Sequence, residues 1–238
     1  MARVFIGVGH GGNDPGAVAN GLKEANINLN IALACKTELE RHGVIVGISR
    51  TKDENDDINE EVRECNAFKA DYAIDVHTNA GKGDGFEAYY HYKGGKGKEL
   101  AAKIEKEVIA IGQNSRGLKV KLNSTGQDYY SFIRNTNCPG IILECAFIDS
   151  KDVEIIDTLE EQKRFGIAYA KGILAQLGIQ YKPPVQPQPP VQNGNSGVYR
   201  IFADGVQQGT AYANIDNILK LVRENLEKGS KKIELIQK

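Results

Sequence analysis

Between residues 3 and 178 short, continuous apolar runs alternate with segments in which apolar residues recur at helical spacing, and this alternation constrains the fold more than any other feature. RVFIGV (3–8), VIVGIS (44–49), YAIDV (72–76) and IILECAFI (141–148) read as strands. Leu22, Ala25, Leu29, Ala32, Leu33 and Leu39 share one helical face over 22–43, which Gly43 closes, and further helices are expected over 57–70, 98–112 and 153–178. FEAYYHY (86–92) mixes apolar and polar positions. Residues 113–140, rich in Asn, Ser, Gly and Thr, are expected to form a surface wall with some strand. Strands that are apolar throughout must be covered on both sides. The expected class is therefore α/β, a mostly parallel twisted sheet flanked by helices on both faces.

The alternation stops at KPPVQPQPPVQNGNSG (182–197), which holds five of the seven prolines and a single charge. Such a stretch cannot bury a core and reads as a semi-rigid polyproline spacer. The chain then divides into a first domain over 1–180, a linker over 181–197 and a small module over 198–238. In the module a hairpin over 197–212, a helix over 214–229 and a strand over 231–237 give a ββαβ, α+β unit. That is close to the lower size limit for independent folding, so self-association or docking would help it.

With 41% hydrophobic residues the chain can fill a core, and a formal net charge of −1 argues against a nucleic-acid or membrane-surface binder. No apolar run approaches the ~20 residues of a membrane span. The N-terminus, MARVFIGVGHGG, lacks the pattern of a secretory signal peptide, so synthesis in the cytoplasm is expected. Cys35, Cys65, Cys138 and Cys145 are widely spaced without a CxxC pair, and free thiols are expected ahead of disulfides or metal ligands.

Three chemically capable residues follow strands. His10 comes after RVFIGV in the loop VGHGGNDPGA, His77 after YAIDV, and Glu144 after the apolar start of IILECAFI. Functional groups collect beyond the carboxyl ends of parallel strands, so two imidazoles and a carboxylate reach one sheet edge. Glu24, at the start of the first helix, can fold back beside His10. Two His and one carboxylate make a three-ligand zinc set with one position open, and such an ion draws the pKa of water towards ~7. His10, Glu24 and His77 are thus assigned to the metal, and Glu144 to proton transfer as the second carboxylate. Blander roles exist for each residue: His10 and His77 as loop or core histidines, Glu24 as a first-turn residue favoured by the helix dipole. His42 suits a helix C-terminus, His91 lies in a Tyr-rich strand, and Cys145 should face away from Glu144.

GHGGNDPGA…GLKEANINLNIA, SRTKD, DVHTNAGKGDGFEAYY, RGLKV and ILECAFIDSKDVE together resemble the zinc-dependent N-acetylmuramoyl-L-alanine amidases of the Amidase_3 family over about residues 2–178. The resemblance implies an enzyme that cleaves the amide between N-acetylmuramic acid and L-alanine in peptidoglycan, with Zn2+ on His10, Glu24 and His77 and Glu144 as the catalytic glutamate. The chain departs from the family at ECAF, where Ala146 replaces a common Gly, and at DVH, which replaces Ser/Ile before the second His. Asn79 and the Gly81–Gly85 loop are read as a border of the substrate groove. The C-terminal module weakly resembles part of a SPOR-type repeat and is read as a cell-wall-binding module. Phage endolysins and sporulation or autolytic amidases share this layout, and release by a holin or by lysis would bring a leaderless enzyme to the wall. The alternatives are a non-catalytic peptidoglycan-binding protein and another zinc hydrolase of the wall, a peptidase or a deacetylase.

Overall fold

A computed structural model of the chain describes residues 1–184, 199–212 and 215–237. It divides into two compact units, Met1–Lys182 and Pro183–Lys238. Most of the expected polyproline spacer lies outside the described residues. No helix among the described residues is long and apolar enough to cross a membrane.

The first unit is built on β1 (Arg3–Val8), the short ladder β2 (Val18–Ala19) and β3 (Leu22–Lys23), α1 (Glu24–Arg41) and β4 (Ile45–Ile48). It continues with α2 (Ile58–Phe68), β5 (Tyr72–Asn79), β6 (Phe86–Tyr90) and α3 (Lys96–Ala110). The last elements are β7 (Ser115–Lys119), α4 (Ser131–Asn135), β8 (Gly140–Phe147) and α5 (Leu159–Leu177). Six strands form one sheet in the order β4-β1-β5-β8-β6-β7. Strands β4, β1, β5 and β8 run parallel, while β6 pairs antiparallel with β8 and parallel with β7. The mostly parallel α/β sheet expected from the alternation is the one observed.

The strand period of two decides which side chain meets which helix layer. Val4, Ile6 and Val8, Ile74 and Val76, Phe86 and Ala88, Ile141, Leu143 and Cys145 join one large apolar cluster with residues of α1, α3 and α5. The intervening positions point the other way, where Phe5 and Ala73 pack with Val62 and Cys65 of α2 and Phe132 of α4 in a much smaller cluster. Asp75, His77, Glu87 and Glu144 belong to this second, thinly covered face. Cys145 lies in the large cluster, on the side opposite Glu144.

One expected helix is broken. The stretch 153–178 begins inside a 3-10 turn over Lys151–Ile155 and becomes α-helical only in α5. The cause is local: the Thr158 hydroxyl accepts from the Glu161 amide while the Glu161 carboxylate accepts from the Thr158 amide, a capping box that starts a new helix. Residues 113–140 hold β7 and the short α4, and His91 falls just beyond β6. In the second unit β9 (Tyr199–Ala203), β10 (Val206–Tyr212) and β11 (Ile233–Gln237) form an antiparallel sheet in the order β10-β9-β11, with α6 (Ile215–Glu227) between β10 and β11.

Candidate functional site

Register is what assembles the site. His77 on β5 stands opposite Glu144 on β8, and Glu144 stands opposite Glu87 on β6. His10 follows β1, the other neighbour of β5, and adopts φ 65, a left-handed conformation uncommon outside glycine. Reciprocal backbone hydrogen bonds between Gly11 and Asp14 (2.8 and 3.0 Å) close the turn that holds it there. Buried Arg50 reinforces the turn from below by donating to the carbonyls of Val8, Gly9, Ala25 and Lys52. Two glycines of the loop are required by close approach. A Cβ on Gly9 would lie 2.2 Å from the His77 ring, and one on Gly16 would lie 2.7 Å from the Glu24 carboxylate.

His10, Glu24 and His77 each offer one ligand atom, and these atoms lie within 4.8 Å of one another. Glu24 Oε1 is 3.2 Å from His10 Nε2 and 3.1 Å from His77 Nδ1. The rings meet edge to face with centroids 5.2 Å apart. Each imidazole is anchored from behind by a carboxylate: His10 Nδ1 to Asp14 Oδ2 at 2.7 Å, His77 Nε2 to Asp75 Oδ2 at 3.2 Å. Without an ion the inner nitrogens donate to Glu24; when they give up those protons, Asp14 and Asp75 keep the outer N–H groups in place, which selects the tautomers that turn both inner lone pairs to a metal. Glu24 is itself oriented by the amides of Ala17 and Thr78. Behind it Asn28 bridges the Gly9 carbonyl and the Thr78 hydroxyl.

The charges reinforce one another. Burial alone would raise the Glu24 pKa, but hydrogen bonds from His10 and His77 hold it well below the usual carboxylate range. Burial alone would lower the His77 pKa, yet the charge and hydrogen bond of Asp75, then Glu24, raise it well above that of a free imidazole. His10 is raised chiefly by its hydrogen bond to Glu24. Glu144 has no such hydrogen bond among the described residues. Its pKa is pushed up to about 7 by burial and by the negative charges of Glu24, Asp75 and Glu87, with His77 opposing.

His10, Asp14, Glu61, Asp75, His77 and Glu144 border a cavity of about 380 Å³. Ile58, Tyr130, Phe132 and Ile142 supply the apolar part of its wall. Asp75, Glu61 and Asp56 were not singled out from sequence. Asp75 carried a readable signal, because two residues before His77 on a strand means the same face. Glu61 and Tyr130 reach the cavity from α2 and from the irregular stretch before α4. Asn79 ends β5 with its amide donating to Glu87 at 3.3 Å, and it is not among the residues lining the cavity. Glu87 is further held by Arg116, Lys119 and Tyr89. In the Gly81–Gly85 loop the amides of Gly81 and Lys82 donate to Asp149, and that of Gly85 to Asp152. His91 pairs with Asp128 at 3.2 Å and is not among the lining residues.

Comparison with known proteins finds cell-wall amidases among the similar chains. The sporulation-specific N-acetylmuramoyl-L-alanine amidase of Bacillus subtilis (strain 168) is 31% identical over 206 residues, covering 84% of this chain and 74% of that protein. The endolysin of Bacillus phage SPP1 is 37% identical over 158 residues, 63% of this chain and 56% of its own length. Among solved structures, the catalytic domain of CwlV, an N-acetylmuramoyl-L-alanine amidase from Bacillus (Paenibacillus) polymyxa var. colistinus, superposes with a TM-score of 0.68 at 26% identity, over 76% of this chain and all of that domain. The family model Amidase_3, N-acetylmuramoyl-L-alanine amidase, matches residues 4–175, so the chain belongs to that family.

Proposed function

We propose that this chain hydrolyses the amide joining the lactyl group of N-acetylmuramic acid to the L-alanine of the stem peptide in peptidoglycan, using one zinc ion on His10, Glu24 and His77 and Glu144 as proton carrier. The observation that carries the reading is the convergence of His10 Nε2, His77 Nδ1 and Glu24 Oε1 beside a cavity that Glu144 lines. Two imidazole nitrogens and one carboxylate oxygen are a donor set that suits zinc, and Asp14 and Asp75 behind the rings supply the outer hydrogen bonds such ligands need.

When bound, zinc supplies Lewis-acid polarisation of the scissile carbonyl and acidifies the attacking water. The remaining work falls to the protein. Glu144, on the cavity wall beside the three ligands, takes a proton as water attacks and delivers it to the departing L-alanine nitrogen; burial raises its pKa above the ordinary carboxylate value and so makes it a better base than a free glutamate. Tyr130, Phe132 and Ile142 give the cavity an apolar wall, which lowers the local dielectric and strengthens charge interactions beside it.

Purified sacculi digested with the zinc-loaded chain and analysed by mass spectrometry are expected to release intact stem peptides and leave unbroken, acetylated glycan. Cut peptides or deacetylated sugars would assign the site to another hydrolase, and no release at all to a binding protein. We read the module over 198–238 as a wall-binding unit, because a tether to an amidase raises the local concentration at the polymer. Deleting residues 183–238 is then expected to weaken co-sedimentation with sacculi while leaving cleavage of soluble fragments intact.

A further inference from the structure

Four cysteines are free in this chain, and two of them meet. Cys65, in the last turn of α2, and Cys138, in the segment entering β8, have sulfurs 4.0 Å apart although 73 residues separate them in sequence. We propose that Cys65 and Cys138 are a disulfide-forming pair, and that oxidation by a low-molecular-weight disulfide staples α2 to the segment that leads into β8.

The backbone around the pair is already held in place. Asn66, next to Cys65, donates from its amide nitrogen to the Asn135 carbonyl (3.0 Å) and accepts from the Asn137 amide (2.6 Å). The two stretches are therefore clamped one residue from each sulfur, and a bond requires the sulfurs to close by about 2 Å through side-chain rotation. Access is also provided for. Cys138 is only partly buried, and it lines a surface depression together with Cys65, Asn66, Lys69 and Asn137. Cys35 and Cys145 are fully buried in the large apolar cluster. The S–H of Cys65 can donate to the Cys138 sulfur, which favours the Cys138 thiolate as the first nucleophile.

The exchange balances in two steps. The Cys138 thiolate attacks one sulfur of the reagent disulfide, whose S–S bond breaks and releases one thiolate. The Cys65 thiolate then attacks the Cys138 sulfur and expels the second. Two protein thiols are oxidised, one disulfide is reduced to two thiols, and the two cysteine protons pass to the leaving groups. The new bond ties together two elements that wall the candidate site, since α2 contributes Ile58 and Glu61 to the cavity and the segment of Cys138 connects α4, which contributes Ser131 and Phe132, to β8. It does so on the face with the smaller apolar cluster, where a cross-link has the most to add.

The full chain, incubated with oxidised glutathione, alkylated with iodoacetamide under denaturing conditions and mapped by mass spectrometry, is expected to yield a linked Cys65–Cys138 peptide with Cys35 and Cys145 alkylated. Its thermal midpoint should rise by several degrees and return on addition of dithiothreitol. Alkylation of all four cysteines, a glutathione adduct on Cys138 that never resolves, or a linked chain that melts no higher than the reduced one would each overturn the proposal.

Discussion

The two faces of the central sheet carry very different loads. On one side α1, α3 and α5 bury a continuous layer of Val, Ile, Leu and aromatic side chains, with Phe165, Tyr169, Ile104 and Ile173 no more than 1% exposed. On the other, α2 and the five-residue α4 cover only part of the strands, and beside them lie the cavity-lining Asp75, His77 and Glu144. The same strands supply both faces, so the difference comes from what packs on them. Full apolar cover yields stability and excludes charge. Partial cover leaves ionisable groups desolvated enough to shift their pKa values yet open enough to meet substrate. Asp75 and Glu61 show the cost, each burying a carboxylate oxygen without a hydrogen-bond partner among the described residues.

That contrast can be broken by exchanging the two kinds of loss. The largest effect is expected from Glu144→Gln, which should keep zinc and the thermal midpoint while lowering turnover about 10²–10⁴-fold, the range typical of general acid–base catalysis. Should the variant unfold instead, the site face would be bearing stability after all. On the opposite face Phe165→Ala should cost about 3–5 kcal/mol of stability by urea titration, from lost burial plus the cavity left behind. The fraction that remains folded is expected to bind zinc as before.

Asp75→Asn sharpens the comparison within the site. It keeps the size of the group behind His77 but removes its charge, so zinc affinity measured by competition with a chromogenic chelator should fall about 10–100-fold. Unchanged affinity would reduce Asp75 to a bystander. The smallest effect is expected from Glu61→Gln, on the pH profile of stability. Burial, then Asp75 and Asp56, raise the Glu61 pKa well above the usual carboxylate value. The folded state therefore holds a proton that the unfolded state has released, and this group's contribution falls as pH climbs from about 4.5 towards the raised pKa. Thermal midpoints of the glutamine variant should decline less over that window; an unchanged slope would place the titration elsewhere.

How far the site could be read in advance depended on distance along the chain. His10, His77 and Glu144 were legible because each follows an apolar run, and in parallel strands such positions share an edge. Glu24 was legible because a short Gly-rich loop returns the chain to His10. The break before α5 was written in Thr158 and Glu161 but was masked by apolar periodicity that continues across it. Asp75 stood in plain view on the His77 face, two residues before it on the same strand. Glu61, Asp56, Tyr130 and the Cys65–Cys138 contact had no local signal, because each depends on where α2 and the stretch 113–140 come to rest.

The alternation of apolar runs and helical stripes by itself determined a mostly parallel α/β sheet and the edge at which its polar groups collect, since hydrophobic periodicity and strand direction are properties of short segments. Only the tertiary structure decided that β6 turns antiparallel to set Glu87 opposite Glu144, that carboxylates stand behind both imidazoles, and that one face is left thinly covered. Those outcomes follow from packing among segments tens of residues apart, where the energy of each contact depends on every neighbour and no local pattern records it.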